Sequence, residues 1–286
     1  MIKLSGSGVA LVTPFTKDNK INYKKIDELI QYHISNNTDF IVVCGTTGES
    51  SSLSNTEKKQ LISYVIDKCR GKIPVIAGTG SNNTKIAINI SKYAKESGAD
   101  GLLVVTPYYN KCNQDGLFVH YKKIAEAVYP TPIILYNVPS RTGVDISVET
   151  IIKLSKIENI IGIKEANPSL EKIAKIINNT RNNNFNVFSG NDNLAIPILS
   201  LGGCGVISVC ANILPNEMHE ICKNKDLELF YKYLELMDDL FLDVNPIMIK
   251  EAMNYLNFNV GNVRLPLYAP DKIKLLKLQK IIDEVL

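Results

Sequence analysis

The sequence has no run of 18 consecutive apolar residues, so no segment reads as a membrane-spanning helix. Its start, MIKLSGSGVALVTPF, lacks the apolar stretch of a secretory signal, and a cytoplasmic protein is expected. The six cysteines (Cys44, Cys69, Cys112, Cys204, Cys210 and Cys222) form no CxxC pair and no zinc-ligand spacing. Cys44 and Cys204 lie in apolar stretches, where a free thiol acts as a small core hydrophobe. His33, His120 and His219 stand alone, each on an expected helix, so no metal is expected. An excess of one charge is missing too: 32 basic residues against 29 acidic leave a net +3, too little for a nucleic-acid surface or an acidic partner. Glycine clusters at Gly6–Gly8, Gly78–Gly80 and Gly202–Gly205 match neither GxGxxG nor a Walker loop, which discounts a nucleotide site. No Pro/Ser-rich linker or low-complexity tract interrupts the chain.

What is present is a repeat of short, β-branched apolar runs separated by amphipathic segments. The runs are Val9–Val12, Phe40–Cys44, Pro74–Ala77, Leu102–Val105, Ile133–Tyr136, Ile160–Lys164, Asn186–Ser189 and Gly205–Val209. Their starts lie between 19 residues (Asn186 to Gly205) and 34 residues (Phe40 to Pro74) apart, near the length of one βα unit. Continuous apolar runs suit parallel strands covered on both faces. Eight such units predict an α/β (β/α)8 TIM barrel over residues 1–225, an open doubly wound sheet being the alternative. Beyond that the strand signal stops, and Leu227–Leu242, Pro246–Leu256 and Asp271–Val285 read as helices, a small C-terminal helical extension over 226–286. Ser54 and Glu57 predict a capping box ahead of Lys58–Cys69, and Gly98 a stop for Asn82–Lys95. Pro168 and Pro215 suit first helical turns.

In such a barrel, functional groups gather at the C-terminal ends of the strands. There the sequence places Gly45-Thr46-Thr47-Gly48-Glu49-Ser50, Thr106-Pro107-Tyr108-Tyr109-Asn110, Tyr136 followed by Asn137-Val138-Pro139-Ser140-Arg141-Thr142-Gly143, Lys164, and Ser189-Gly190. Lys164, after Ile160-Ile161-Gly162-Ile163, is either a strand-end lysine that reaches solvent or pairs with Glu165, or a nucleophilic amine. The second reading needs a pKa about 3 units below the usual ~10.4, roughly 4 kcal/mol, within what burial and neighbours supply. Such an amine can form an imine with a keto acid, an electron sink for C–C bond formation. Tyr136 on the adjacent strand is a rim residue or a partner of that amine. Thr46 and Thr47 are turn residues that Gly45 and Gly48 already explain, or donors to a carboxylate. Arg141 is a surface arginine or a bidentate carboxylate clamp.

Taken together, VALVTPF, GTTGES, AGTGSN, TPYYN, YNVPSRTG, GIKEAN, FSGND, GVISV and NVRLPL, in this order along nearly the whole chain, resemble the dihydrodipicolinate synthase / N-acetylneuraminate lyase family of class I aldolases. The resemblance implies a cofactor-free lyase in which Lys164 forms the pyruvate imine, Tyr136 donates and accepts protons, and Thr46 and Tyr109 complete a relay. It implies that Tyr109 reaches a neighbouring subunit, in a homotetramer of tight dimers. Thr47, Gly190 and Ile207 match positions around bound pyruvate, and Arg141 the holder of the second substrate's carboxylate. The implied reaction condenses pyruvate with L-aspartate 4-semialdehyde, giving 4-hydroxy-tetrahydrodipicolinate for diaminopimelate and lysine biosynthesis. Sister aldolases acting on sialic or keto-deoxy sugar acids share the lysine and tyrosine, but Arg141 within PSRTG favours the semialdehyde. A non-catalytic keto-acid sensor would not need the full set of Lys164, Tyr136, Thr46 and Tyr109. One departure stands out: lysine-inhibited members carry two histidines and a glutamate where this chain has Asn55, Lys58 and Ile86, so weak or absent feedback inhibition is expected.

Overall fold

The computed structural model describes residues 4–286. Eight parallel strands close into a barrel in sequence order: β1 Gly6–Ala10, β2 Phe40–Val43, β3 Val75–Gly78, β4 Gly101–Val105, β5 Ile133–Asn137, β6 Ile160–Glu165, β7 Asn186–Ser189 and β8 Gly205–Ser208. All eight expected strands are present, and the closed barrel replaces the open-sheet alternative. The first is shifted: β1 begins at Gly6 and ends at Ala10, because Gly6 to Val9 pair with Gly205 to Ser208 of β8. That seam needs glycine, since a Cβ on Gly205 would lie 1.9 Å from the Gly6 carbonyl oxygen.

Helices follow the strands as the local signals dictate. Asn55–Cys69 starts on Ser54 with the full reciprocal capping box to Glu57. Thr84–Ser97 stops at Gly98, whose φ of 94° is the left-handed C-terminal cap. Pro215 opens Pro215–Asn224, but Pro168 lies outside its helix. The Ser169 side chain caps Leu170–Thr180 by accepting from the Lys172 N–H, which places Pro168 one residue before the cap. Three C-terminal helices, Leu227–Asp239, Ile247–Tyr255 and Lys272–Val285, come slightly shorter than their sequence patterns.

Two apolar layers result. One lies between strands and helices; the other fills the barrel interior with side chains including Phe40, Ile134, Ile161, Phe188 and Ile207. Phe40 and Phe188 meet edge-to-face across the interior at 5.7 Å.

The C-terminal helices are fastened to the barrel mouth by buried charge. Lys250 on Ile247–Tyr255 pairs with Glu49 at 2.6 Å, both essentially inaccessible to solvent. The Lys250 ammonium also donates to the Asn262 carbonyl, and the Arg264 N–H donates to the other Glu49 oxygen. Arg264 continues the network by pairing with Glu57, the capping-box acid. Lys250 and Arg264 each lie 4.2 Å from the centre of the Phe15 ring.

Burial draws the Lys250 ammonium down to about 8, the Glu49 charge opposing that shift. Lys250→Met would leave a buried carboxylate short of a cation, and we expect a loss of ~3–5 kcal/mol at neutral pH in denaturant unfolding. A cost below about 1 kcal/mol would show that the pair carries no such weight. Between pH 8 and about 10.4 the unfolded chain holds a proton that folded Lys250 has released, so this group's contribution to stability rises with pH across that window.

Candidate active site

Side-chain alternation decides which residues face the barrel interior, and in β6 it is reset by one residue. Ile133 pairs with Ile160, but Ile134 pairs with Gly162, so β6 carries one extra residue against β5. Past this irregularity Tyr136 pairs with Lys164, and paired residues project to the same side. Ile134 and Tyr136 belong to the interior cluster, so Lys164 turns inward with them. Its ammonium lies 4.7 Å from the centre of the Tyr136 ring, and both residues are buried.

Glu165 necessarily points the other way, and the pairing with Lys164 left open by the sequence does not occur. Its carboxylate is held by the Asn137 side-chain amide at 2.7 and 3.0 Å and the Asn167 N–H at 2.8 Å, and it pairs with Lys172 at 3.3 Å. Asp145 joins this cluster, accepting from Asn137 and pairing with Lys172. Burial nonetheless pushes the Glu165 carboxyl above its usual range, with Lys172 the strongest opposing influence. The cluster ties the ends of β5 and β6 together behind Tyr136 and Lys164.

A cavity of about 240 Å³ opens at the C-terminal ends of the strands. Thr46, Tyr136, Arg141 and Lys58 line it together with Tyr108 and apolar wall residues. Two of its lining residues are cations, Lys58 and Arg141, and none is acidic. Lys164 does not line the cavity itself; it touches the ring of Tyr136, which does.

Thr46 and Thr47 follow β2 in a loop whose shape differs from the expected glycine turn. The left-handed residues are Cys44 (φ 56°) and Glu49 (φ 53°), not Gly45 or Gly48. Close packing explains glycine at the neighbouring Gly78 instead, where a Cβ would lie 2.2 Å from the Cys44 carbonyl oxygen. Among the described residues the backbone N–H groups of Thr46 and Thr47 have no acceptor, leaving two donors at the strand end. Thr47 is buried, and its hydroxyl oxygen accepts from the Asn245 side-chain amide at 3.0 Å.

Arg141 sits on a one-turn helix, Pro139–Thr142, rather than a loop, ended by Gly143 at φ 68°. Its guanidinium lines the cavity and donates to the Asn245 main-chain carbonyl at 3.0 Å. Ile207 is fully buried in the interior, and Gly190 follows β7, its N–H donating to the Glu165 carbonyl. Neither lines the cavity. Thr47 does not line it either. Tyr109 stands in solvent, 90% exposed, on a left-handed backbone (φ 75°). Asn55 is exposed, Ile86 is exposed, and Lys58 is half-buried with its ammonium held below its ordinary range by burial.

Two residues escaped the sequence reading. Asp192, completely buried after β7, accepts from the N–H groups of Val209 and Cys210, and burial raises its carboxyl, the backbone donors opposing. Asn245, 198 positions from Thr47, has no sequence signal at all. Among the described residues no group of His, Cys, Asp and Glu could hold a metal, and no helix is long and apolar enough to cross a membrane.

Comparison with known proteins places the fold and the sequence together. The model of the dihydrodipicolinate synthetase family matches residues 3–285. A 4-hydroxy-tetrahydrodipicolinate synthase of Clostridium tetani is 49% identical over 283 residues, spanning 96% of this chain and 95% of its own. A crystal structure of the chloride-inhibited dihydrodipicolinate synthase of Acinetobacter baumannii, complexed with pyruvate, superposes with a TM-score of 0.95 at 41% identity, covering 99% of this chain and all of that one. A lysine-bound synthase from Cyanidioschyzon merolae gives 0.95 at 37%, covering 98% of each. The barrel, the inward lysine beside its tyrosine, and these matches along almost the full length place the chain in the dihydrodipicolinate synthetase family.

Proposed function

We propose that the chain condenses pyruvate with L-aspartate 4-semialdehyde to 4-hydroxy-tetrahydrodipicolinate, feeding diaminopimelate and lysine biosynthesis. The observation that carries this reading is Lys164, turned into the barrel and packed on Tyr136 beside a donor-rich, acid-free cavity. The free amine of Lys164 attacks the keto carbon of pyruvate, and water leaves as the imine forms. Loss of a methyl proton gives the enamine, whose carbon attacks the aldehyde. The amino group of the adduct then adds to the imine carbon and displaces Lys164, closing the ring. Tyr136 moves the protons, relayed by Thr46 and by Tyr109 from a neighbouring subunit.

Thr47 takes the pyruvate carboxylate with its hydroxyl and N–H, and Gly190 and Ile207 take the places around the keto acid that the family resemblance implies. Arg141 holds the carboxylate of the semialdehyde, a planar fork on a cavity without competing acids. Tyr109, almost wholly in solvent on a left-handed backbone, supports contact with a neighbouring subunit, as in the homotetramer of tight dimers that the family resemblance implies. The six unpaired thiols support a cytoplasmic setting. The chemistry asks for no metal or organic cofactor, because the protein amine provides the electron sink.

Borohydride reduction in the presence of pyruvate should add one reduced pyruvyl group to the Lys164 peptide, read by mass spectrometry. Lys164→Ala should abolish both the adduct and turnover with the semialdehyde; an unlabelled Lys164 in active enzyme would refute the assignment.

Feedback inhibition by lysine is expected to be weak or absent. Asn55, Lys58 and Ile86 stand where the family resemblance puts the two histidines and the glutamate of lysine-inhibited members, and the amine of Lys58 and the apolar Ile86 offer a cationic amino acid no acceptor. In steady-state assays the inhibition constant for L-lysine should stay above about a millimolar, less than ~4 kcal/mol of binding.

A further inference from the structure

Asn245 belongs to the segment that leads into Ile247–Tyr255, outside the barrel strands, yet it touches both carboxylate-holding residues at once. Its side-chain amide donates to the Thr47 hydroxyl oxygen, and its main-chain carbonyl accepts from Arg141, each at 3.0 Å. Asn245 is 6% exposed and Thr47 2%, so water does not compete for the bond between their side chains. The same helix also carries Lys250, which grips Glu49 two residues beyond Thr47, so the segment is anchored on the loop at two places.

A hydroxyl has one proton and accepts through its lone pairs. When an amide N–H already occupies the oxygen of Thr47, the hydroxyl proton is left to point elsewhere. Together with the unpaired N–H of Thr47, this makes the residue a pair of donors, the arrangement a carboxylate binds. The other end of the Asn245 amide, Oδ1, is buried without a donor.

We propose that Asn245 is a positioning residue that fixes the hydrogen-bond polarity of Thr47, holding its hydroxyl as a donor to the keto acid's carboxylate. The inference rests on the assignment of Thr47 to pyruvate made above. It makes Asn245 a determinant of pyruvate affinity that never touches pyruvate. Because Arg141 binds the main-chain oxygen, side-chain substitution at Asn245 leaves the semialdehyde's clamp in place.

The test is a double-mutant cycle on the full chain with Asn245→Leu and Thr47→Val, each checked for folding by circular dichroism and thermal melting. Pyruvate affinity is read from KM and from the pyruvate dependence of borohydride trapping, and the semialdehyde KM is measured alongside. Asn245→Leu should raise the pyruvate KM about tenfold, Thr47→Val by a similar factor, and the double variant by no more than the larger single effect. The semialdehyde KM should stay within about twofold throughout, which a general loosening of the site would not give. Should Asn245→Leu fail to fold, Asn245→Ser removes the amide with less change in packing and replaces it in the cycle.

Normal pyruvate affinity in the Asn245 variant, with Thr47→Val impaired, overturns the inference alone. Additive losses, or an equal rise in the semialdehyde KM, overturn it as well. If Thr47→Val itself binds pyruvate normally, the assignment of Thr47 fails and the role of Asn245 falls with it.

Discussion

The site depends on one alternation rule and one exception to it. Side chains along a strand point to opposite faces, so a single residue decides whether a strand-end group looks into the barrel or toward the helices. Ile160 and Ile163 pack outside, and Ile161 packs inside. The register shift between Ile133 and Ile134 absorbs one residue of β6 and brings Lys164 opposite Tyr136 on the interior side. Without it, Lys164 would exchange places with its neighbours and meet the helical layer. The placement of Glu165 follows from the same rule, and its cluster with Asn137, Asn167 and Lys172 holds the two strand ends in that register.

The second constraint comes from outside the barrel. The loop after β2 is bent by two non-glycine residues in the left-handed conformation, each a local cost that surrounding contacts must offset. Glu49, one of the two, is held by Lys250 and by the Arg264 N–H, and Thr47 by Asn245. The C-terminal helices therefore act on the site without contributing a group that the sequence marks as reactive.

Much of this was legible beforehand. Eight strands, their order and the reactive residues at their ends follow from local patterning: apolar runs of strand length, a capping box, a glycine stop. Where the reading slipped, tertiary contacts overrode a local signal. Ser169 took the cap that displaced Pro168 from its helix, pairing with β8 drew β1 toward Gly6, and PSRTG closed into a helical turn because Arg141 and Thr142 donate their backbone N–H groups to the Val138 carbonyl. The glycines of GTTGES looked like turn-makers, yet their neighbours carry the unusual backbone angles.

By itself the sequence determined the barrel, the identity of the inward lysine's strand and the family, because periodicity and short motifs are properties of adjacent residues. Only the tertiary structure decided which face Lys164 occupies, that Glu165 turns away to Lys172, and that Asn245 reaches Thr47 across 198 positions. The physical reason is that register and hydrogen-bond polarity belong to pairs of segments, and a linear pattern records each segment without its partner.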